Sequence, residues 1–305
     1  MAEQGVPGQP AQKVAPTYVE DRRLHGLIVT VLGVLFVVPD SLFVRLIDAD
    51  ALVIAFWRGL ISGLLILAGL LLWQGLAPFR ALVGAGRYGV IYMIAAGAAG
   101  VMFPLAVSLT SVANVVFIIA ALPVFAAIYS RIFLGEGITR RMGLTMLAVG
   151  LGLAILAYGS GETEGAHWSG DLVALGVAAV FAGGLTAARK ARHVSMVAAL
   201  PAGFIGASMI LWLFVDPFSV RVAQAPLVAA HGMFIALSSI GLALGPRDLP
   251  SAEVGLLILL ESVLAPLLAW GVLGENPGIY ALIGGAVVIV ALGVSNLVAL
   301  TRRSD

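Results

Sequence analysis

The sequence predicts an all-α integral membrane protein, with ten transmembrane helices arranged as two inverted five-helix repeats around a central cavity. Three observations lead to this prediction. First, 61% of the 305 residues are hydrophobic and only 11% are charged, against about 45–50% and about 25% in a soluble domain. Second, apolar runs of about 20 residues, long enough to cross a bilayer core, follow one another along the chain. Third, the two halves of the chain share short motifs at matching positions.

Ten segments have the length and composition of a membrane span. Pro, Gly or charged residues mark most of the joints between them, as in the run Gly-Glu-Asn-Pro at 274–277. A polar, Gly- and Pro-containing stretch precedes the first span, so we predict a disordered tail over residues 1–23 and no cleavable secretory signal. The predicted spans are 24–46, 51–73, 88–108, 111–132, 138–158, 169–190, 196–215, 226–246, 250–272 and 278–300.

Lys and Arg residues are concentrated on one side of these spans. With the N-terminus placed inside, fourteen of the seventeen lie in inner tails and loops, Arg45 and Arg221 lie outside, and Arg58 lies within a span. Short loops rich in Lys and Arg favour the cytoplasmic side. We therefore expect both termini in the cytoplasm, which agrees with an even number of spans.

Two segments of the chain end alike. Residues 120–136 read "AALPVFAAIYSRIFLGE" and residues 259–275 read "LLESVLAPLLAWGVLGE", and each is followed by a further span. Halves with five spans each must insert in opposite orientations, as in many secondary transporters. We predict a first repeat over 24–158, an outer linker over 159–168 and a second, inverted repeat over 169–305. The alternative is chance similarity between apolar helices.

A few motifs make the chain resemble a known family. "FWRG" (Phe56–Gly59) stands near the start of the second span, and Leu-Gly-Glu closes the fourth and ninth spans. In order and spacing, over about residues 24–300, these motifs are similar to those of the drug/metabolite transporter superfamily, EamA-type branch. One departure is that the second half has Ser262 where the first has Pro123, with its own proline at Pro266.

The resemblance implies two inverted halves forming a basket around a cavity. It also implies export from the bacterial inner membrane of amino acids, other metabolites or drugs. Amino acids, aromatic or otherwise neutral, are the substrates we expect first, and cationic drugs are the alternative.

Two opposite charges lie inside the first two spans at similar depth. Asp40 is about six residues, and Arg58 about seven, from the predicted outer ends, so both lie about 10 Å below the outer face. Short-linked antiparallel helices are neighbours, so we predict that the two side chains pair. The pair either locks the two spans together or recognises a substrate carboxylate, and we favour the lock. Arg45, at the end of its span, is expected to extend outward.

Glu261 lies near the middle of the ninth span. No Lys or Arg has a predicted depth that matches it closely. Because burial disfavours the charged form of a carboxyl group, such a residue can bind a proton on one side and release it on the other. The alternatives are contact with a substrate ammonium group and a purely structural, protonated carboxyl group.

Three further residues are candidates for the site. His231 lies about five residues into the eighth span, where we expect packing more than proton relay. Asn114 in the fourth span is a candidate cavity amide, although hydrogen bonding between helices is the simpler role. Trp57 is an aromatic residue that could face the cavity.

Other function classes find less support. The sequence contains no phosphate-binding Walker motif and no nucleophile elbow or metalloprotease motif, so we expect neither ATP-driven transport nor an enzyme. A channel or a carrier of phosphorylated metabolites is a weaker alternative. We expect no cofactor or metal, no nucleic-acid partner, and a monomer in the lipid bilayer that transports a small molecule, with proton coupling as one mode.

Overall fold

The computed structural model describes residues 16–135, 137–160, 167–244, 249 and 251–304. Several parts of the sequence predictions lie outside these residues. They are most of the predicted tail, Glu136 of the first Leu-Gly-Glu turn, positions 161–166 of the predicted outer linker, positions 245–248 at the end of the predicted eighth span and in the loop after it, and position 250 at the start of the predicted ninth span.

The described residues are helical and contain no β-strand. The α-helices are α1 (Pro16–Val37), α2 (Asp40–Leu46), α3 (Ala51–Gln74), α4 (Ala77–Val83), α5 (Arg87–Leu109), α6 (Val112–Ile119), α7 (Leu122–Tyr129), α8 (Arg140–Ser160), α9 (Trp168–Lys190), α10 (Leu200–Leu211), α11 (Ala225–Leu244), α12 (Ser251–Leu273) and α13 (Ile279–Ser304). A π-helical segment, Ser130–Leu134, extends α7, and a 3-10 turn, Met196–Ala199, precedes α10.

Eight helical stretches among the described residues are long and apolar enough to cross a membrane. Two shorter apolar helices, Met196–Leu211 and Leu257–Leu273, coincide with the predicted seventh and ninth spans. The eight longer stretches are Leu24–Leu46, Ala51–Gln74, Arg87–Leu109, Val112–Leu134, Arg140–Gly159, Trp168–Lys190, Val222–Leu244 and Ile279–Val298. The chain is therefore a multi-pass helical membrane protein.

The seventh span is shorter than predicted. Its helix ends at Leu211 instead of residue 215. The chain then turns toward Asp216, whose side chain accepts a hydrogen bond from the backbone N–H of Phe218 at 3.0 Å. The apolar residues after Leu211 had the composition of a span but belong to this turn.

Two predicted spans are broken, and both breaks lie next to a proline. The first span is divided between α1 and α2, with Pro39 immediately before α2. The fourth is divided between α6 and α7, with Pro123 in the first turn of α7. Proline fits the first turn of a helix because the N–H that it lacks has no partner there in any case.

The break in the first span gives Asp40 its place. Asp40 is the first residue of α2. The unpaired N–H groups of a helix N-terminus carry partial positive charge and stabilise a carboxylate there. A carboxylate inside an apolar run is thus already favoured by the local backbone.

Glycines let the helices pack closely. A Cβ on Gly97 of α5 would come within 2.6 Å of the carbonyl oxygen of Gly203 of α10. Gly152 of α8 and Gly284 of α13 face each other equally closely, with an added Cβ on Gly284 only 2.6 Å from the Gly152 carbonyl oxygen. Small residues of this kind allow backbone contact where lipid supplies no hydrophobic driving force.

Candidate functional site

A buried ion pair joins the first two spans. The guanidinium of Arg58 donates from Nε to Oδ1 of Asp40 at 3.0 Å and from Nη2 to Oδ2 at 2.6 Å. Only 1% of Asp40 and 7% of Arg58 are exposed. The two-point geometry gives a strong, oriented pair. The predicted pairing of these side chains is therefore present.

A third helix completes the environment of Arg58. Its Nη1 donates to the carbonyl oxygen of Gly100 in α5 at 3.4 Å, and the guanidinium lies 5.6 Å from the ring centroid of Phe103. Pro104 lies inside α5 and has no N–H, so the Gly100 carbonyl loses its ordinary helical partner. The proline thus frees the acceptor that Arg58 uses.

His231 of α11 binds the same carboxylate. Its Nε2 lies 2.6 Å from Oδ1 of Asp40, and only 1% of the residue is exposed. The ring of Phe43 stacks on the imidazole with centroids 5.2 Å apart. His231 thus packs at a contact between helices, as expected, and its imidazole shares Oδ1 of Asp40 with Nε of Arg58.

A sequence signal for this contact was present. His231 lies about five residues from its outer end, and Asp40 and Arg58 lie at about six and seven, so the three have similar depth. Residue counting could not show that α11 packs beside α1 and α3. That neighbourhood depends on the whole fold.

Glu261 of α12 lies near this cluster. It is half-buried, and it is close enough to Asp40 and Arg58 to interact with both charges. No hydrogen bond or ion pair to its carboxylate is present among the described residues. Residue counts along single spans do not show this approach, because it depends on the packing of α12 against α2, the helix that carries Asp40.

A second polar cluster lies at the start of α6. Oδ1 of Asp171 in α9 accepts from Oγ1 of Thr110 at 2.9 Å and from Nδ2 of Asn114 at 3.2 Å. The Ser111 hydroxyl accepts from the backbone N–H of Asn114 at 3.1 Å. Asn114 thus makes the hydrogen bond between helices that was its simpler predicted role. Asp171 was missed because it lies near the end of a predicted span.

Trp57 is held at one edge of the bundle. Its Nε1 donates to the carbonyl oxygen of Pro217 at 2.8 Å. The rings of Phe56 and Phe218 meet it edge to face, with centroids at 5.2 Å and 6.4 Å. The indole is half-buried, and its donor is already used.

Arg45 lies in the last turn of α2, and two groups bind its side chain there. Its Nη2 donates to the carbonyl oxygen of Thr110 at 2.9 Å, and its Nε lies 3.2 Å from Oε2 of Glu275. The side chain is 29% exposed. Neighbouring loops supply the carboxylate and carbonyl that the sequence could not place beside it.

A cleft lies away from these polar groups. It has a volume of about 460 Å³, lies between α5 and α10, and is lined by apolar and small residues, among them Met93, Gly97, Gly203 and Ile210. None of the candidate site residues lines it. Among the described residues, no group of three His, Asp or Glu side chains could hold a metal ion.

The fold and the buried charges define a polytopic helical membrane protein with a charged cluster inside its spans. Residues 168–297 match the EamA-like transporter family. The second half of the chain is therefore similar to EamA-like transporter family proteins over these residues.

Solved structures also resemble the chain. Fourteen chains match. One, described only as "Crystal structure of protein", has a TM-score of 0.66 at 17% sequence identity and covers 92% of this chain and 99% of that chain. At this identity the likeness shows the fold alone. No curated protein matches.

Proposed function

We propose that this protein is a secondary active transporter that exports small amphipathic metabolites by alternating access. Amino acids, aromatic or otherwise neutral, are the first substrate class. The observation that carries the proposal is a buried cluster of Asp40, Arg58 and His231 inside the spans, next to Glu261, which has no hydrogen bond or ion pair among the described residues. The match of residues 168–297 to the EamA-like transporter family supports it. Charged residues inside spans are costly and mark transport pathways in many membrane proteins.

The proposed architecture is ten spans in two inverted repeats, over 24–158 and 169–305, with an inner tail over 1–23 and an outer linker over 159–168. The packing of helices supports it. Helix α5 packs on α9, which is the third span on the sixth, and α1 packs on α11, which is the first on the eighth. A shift by five spans converts one contact into the other, as an inverted repeat requires.

Other helix contacts follow the same rule. The second span packs on the eighth through α3 and α11, and its counterpart is the seventh span on the third through α10 and α5. The pairs α3 with α10 and α8 with α13 convert into themselves. The binding site then lies between the halves, near the midplane.

The proposed orientation places both termini in the cytoplasm of a bacterium, with the protein in the inner membrane. The distribution of Lys and Arg supports it. Contacts at the other side agree, because Asp48 forms an ion pair with Arg221, and Arg45 forms one with Glu275. All four lie at helix ends that this orientation places on the outer face.

In this proposal Glu261 is the working carboxylate. Because it has no hydrogen bond or ion pair among the described residues, it is available to a proton or to a substrate ammonium group. Asp40 and Arg58 instead act as a lock. Both carboxylate oxygens of Asp40 contact Arg58, and Arg58 also uses the Gly100 carbonyl.

Cationic compounds are the second candidate class. One observation favours them: Arg58 is already paired with Asp40, while Glu261 has no ion pair within the part of the chain that the structure describes. A substrate with an ammonium group and no carboxylate would find its partner in the cluster. A phosphorylated cargo is disfavoured because its negative charges need free Lys or Arg side chains. Arg58 is paired with Asp40, and no other Lys or Arg lies in the interior of a described span. The working unit is a monomer in lipid, without cofactor or nucleic acid.

Uptake into proteoliposomes tests the proposal. The labelled panel contains aromatic, aliphatic and hydroxy amino acids, a purine and a cationic dye. We expect saturable uptake of an amino acid that unlabelled amino acid competes away, with protein-free liposomes as the blank and Asp48→Asn as the matched control variant.

Two other results would change the account. Transport of the dye alone would move the substrate class to cationic compounds. Uptake of no compound in the panel, from protein that remains folded, would contradict the proposed function.

A further inference from the structure

The second Leu-Gly-Glu turn contacts a helix of the first half. Oε1 of Glu275 accepts a hydrogen bond from the backbone N–H of Val112 at 2.7 Å. Val112 is the first residue of α6. The first N–H groups of a helix have no acceptor within the helix, so Glu275 caps a helix that lies 163 residues away in the sequence.

The same carboxylate binds a cation from a third place. Oε2 of Glu275 lies 3.2 Å from Nε of Arg45, and Arg45 donates through Nη2 to the carbonyl oxygen of Thr110 at 2.9 Å. One carboxylate and one guanidinium therefore join α2, the junction between α5 and α6, and the loop after α12. We call Arg45 and Glu275 the latch.

The latch is partly exposed to water. The side chains of Arg45 and Glu275 are 29% and 21% exposed. Ion pairs that reach solvent contribute little net stability because water screens them and the long side chains lose freedom. Such a contact suits a part that must form and break during each cycle.

The helix that the latch holds is a separate short unit. Helix α6 has only eight residues, and a break at Ala120–Ala121 divides it from α7. It carries Asn114, whose side chain binds Asp171. The break separates α6 from the first turn of α7, which contains Pro123.

We propose that Glu275 and Arg45 are positioning residues that hold α6 closed across the outer face, and that transport requires α6 to swing about Ala120–Ala121 once Glu275 releases Val112. This inference rests on the proposed alternating access and assigns its outer gate. The Leu-Gly-Glu turn, a sequence motif with no part in the charged cluster, thereby acquires a function in transport.

The absence of cysteine from the chain makes the test direct. Ala113 is 3% exposed in α6, so Ala113→Cys introduces a single thiol that is hidden while the latch is closed. A membrane-impermeant maleimide reaches the outer face in spheroplasts and the inner face in inverted vesicles. The rate of labelling from each side then reports the position of α6.

We expect Glu275→Ala to raise labelling from the outer face about tenfold, the effect of losing a helix cap. Arg45→Ala should raise it by a smaller factor, since Glu275 still reaches Val112. Glu275→Gln keeps an acceptor oxygen and should fall between the wild type and Glu275→Ala. Asp48→Asn, which breaks a different ion pair at the same face, is the control and should label like the wild type.

Two outcomes would overturn the inference. One is equal outer labelling in the wild-type background, Glu275→Ala and Arg45→Ala. The other is a rise of the same size from both faces, which indicates general loosening of the fold. If Glu275→Ala does not fold, Arg45→Ala and Glu275→Gln give the same comparison.

The labelling needs no substrate, so it separates this inference from the proposed function. A labelling rise without uptake of any compound contradicts the function alone. Uptake without a labelling rise contradicts the latch alone. Where a substrate is found, Glu275→Ala should change the maximal rate more than the KM, because α6 acts on the opening step.

Discussion

At the scale of single residues, the cluster around Arg58 shows how an apolar bundle holds charge. The guanidinium contacts Asp40 at two points, the Gly100 carbonyl and the face of Phe103. A charged group that is buried without a partner lowers the stability of the folded state sharply. The arrangement leaves Arg58 little freedom to serve a substrate.

Asp40→Asn should be strongly destabilising. It leaves the guanidinium of Arg58 buried without a countercharge, and removing one partner of a buried pair costs about 3–5 kcal/mol. The double variant Asp40→Asn, Arg58→Gln should recover part of this loss, because it removes both charges. Thermal unfolding in detergent, followed by the fluorescence of the five tryptophans, measures both effects.

The lock hypothesis fails if Arg58→Gln folds normally and loses only carboxylated substrates. Such a result would make Arg58 a recognition residue. Normal stability together with unchanged selectivity in Arg58→Gln would also contradict the lock, because removing the guanidinium leaves the Asp40 carboxylate buried without its countercharge.

The contact between Asp40 and Arg58 could be predicted from the sequence, but the residues that surround this pair could not. Asp40 and Arg58 share a depth and sit on helices joined by a short loop, so their contact could be predicted. His231 and Glu261 come from helices more than 150 residues further along the chain, and their approach depends on packing between the halves. Asp171, the partner of Asn114, was missed because it lies near the end of a predicted span.

At the scale of helices, prolines had different effects that the sequence did not distinguish. Pro39 and Pro123 lie at helix breaks, whereas Pro104 and Pro266 lie inside continuous helices. A proline breaks a helix only where no neighbour compensates for the lost hydrogen bond. For Pro104, Arg58 takes the freed carbonyl of Gly100.

Close helix packing gives a prediction with its own control on one helix. A Cβ on Gly203 of α10 would collide with the backbone carbonyl of Met93 in α5, whereas Gly206 has nothing within 4 Å. We expect Gly203→Ala to lower the free energy of unfolding by about 1–3 kcal/mol, the range for overpacking. Gly206→Ala should leave it unchanged or raise it slightly.

The thermal unfolding temperature in detergent distinguishes the two glycine variants. Equal unfolding temperatures for Gly203→Ala and Gly206→Ala would show that α5 and α10 do not touch through Gly203. The proposed symmetry between the pairs α10–α5 and α3–α11 would then lose one of its supports.

At the scale of the whole molecule, composition and charge distribution predicted a multi-pass helical bundle, and the structure has one. The EamA-like match covers residues 168–297, which lie in the second half. The proposal that the first half is an inverted copy of the second therefore depends on how the helices pack. The contacts of α5 with α9 and of α1 with α11 are the kind of evidence that sequence similarity between apolar helices cannot supply. Neither the sequence nor this structure predicts the substrate, because substrate selection depends on the shape of the site when it is open.

The measurement that tests the central claim most directly is the dependence of transport on a proton gradient in wild-type protein and in Glu261→Gln. Under the proposed proton coupling, in which Glu261 exchanges a proton as the site changes sides, the wild type should transport faster with the gradient. Glu261→Gln should keep the fold, judged by its unfolding temperature, and lose the gradient dependence. Unchanged transport and unchanged gradient dependence in Glu261→Gln would contradict the role given to this carboxylate.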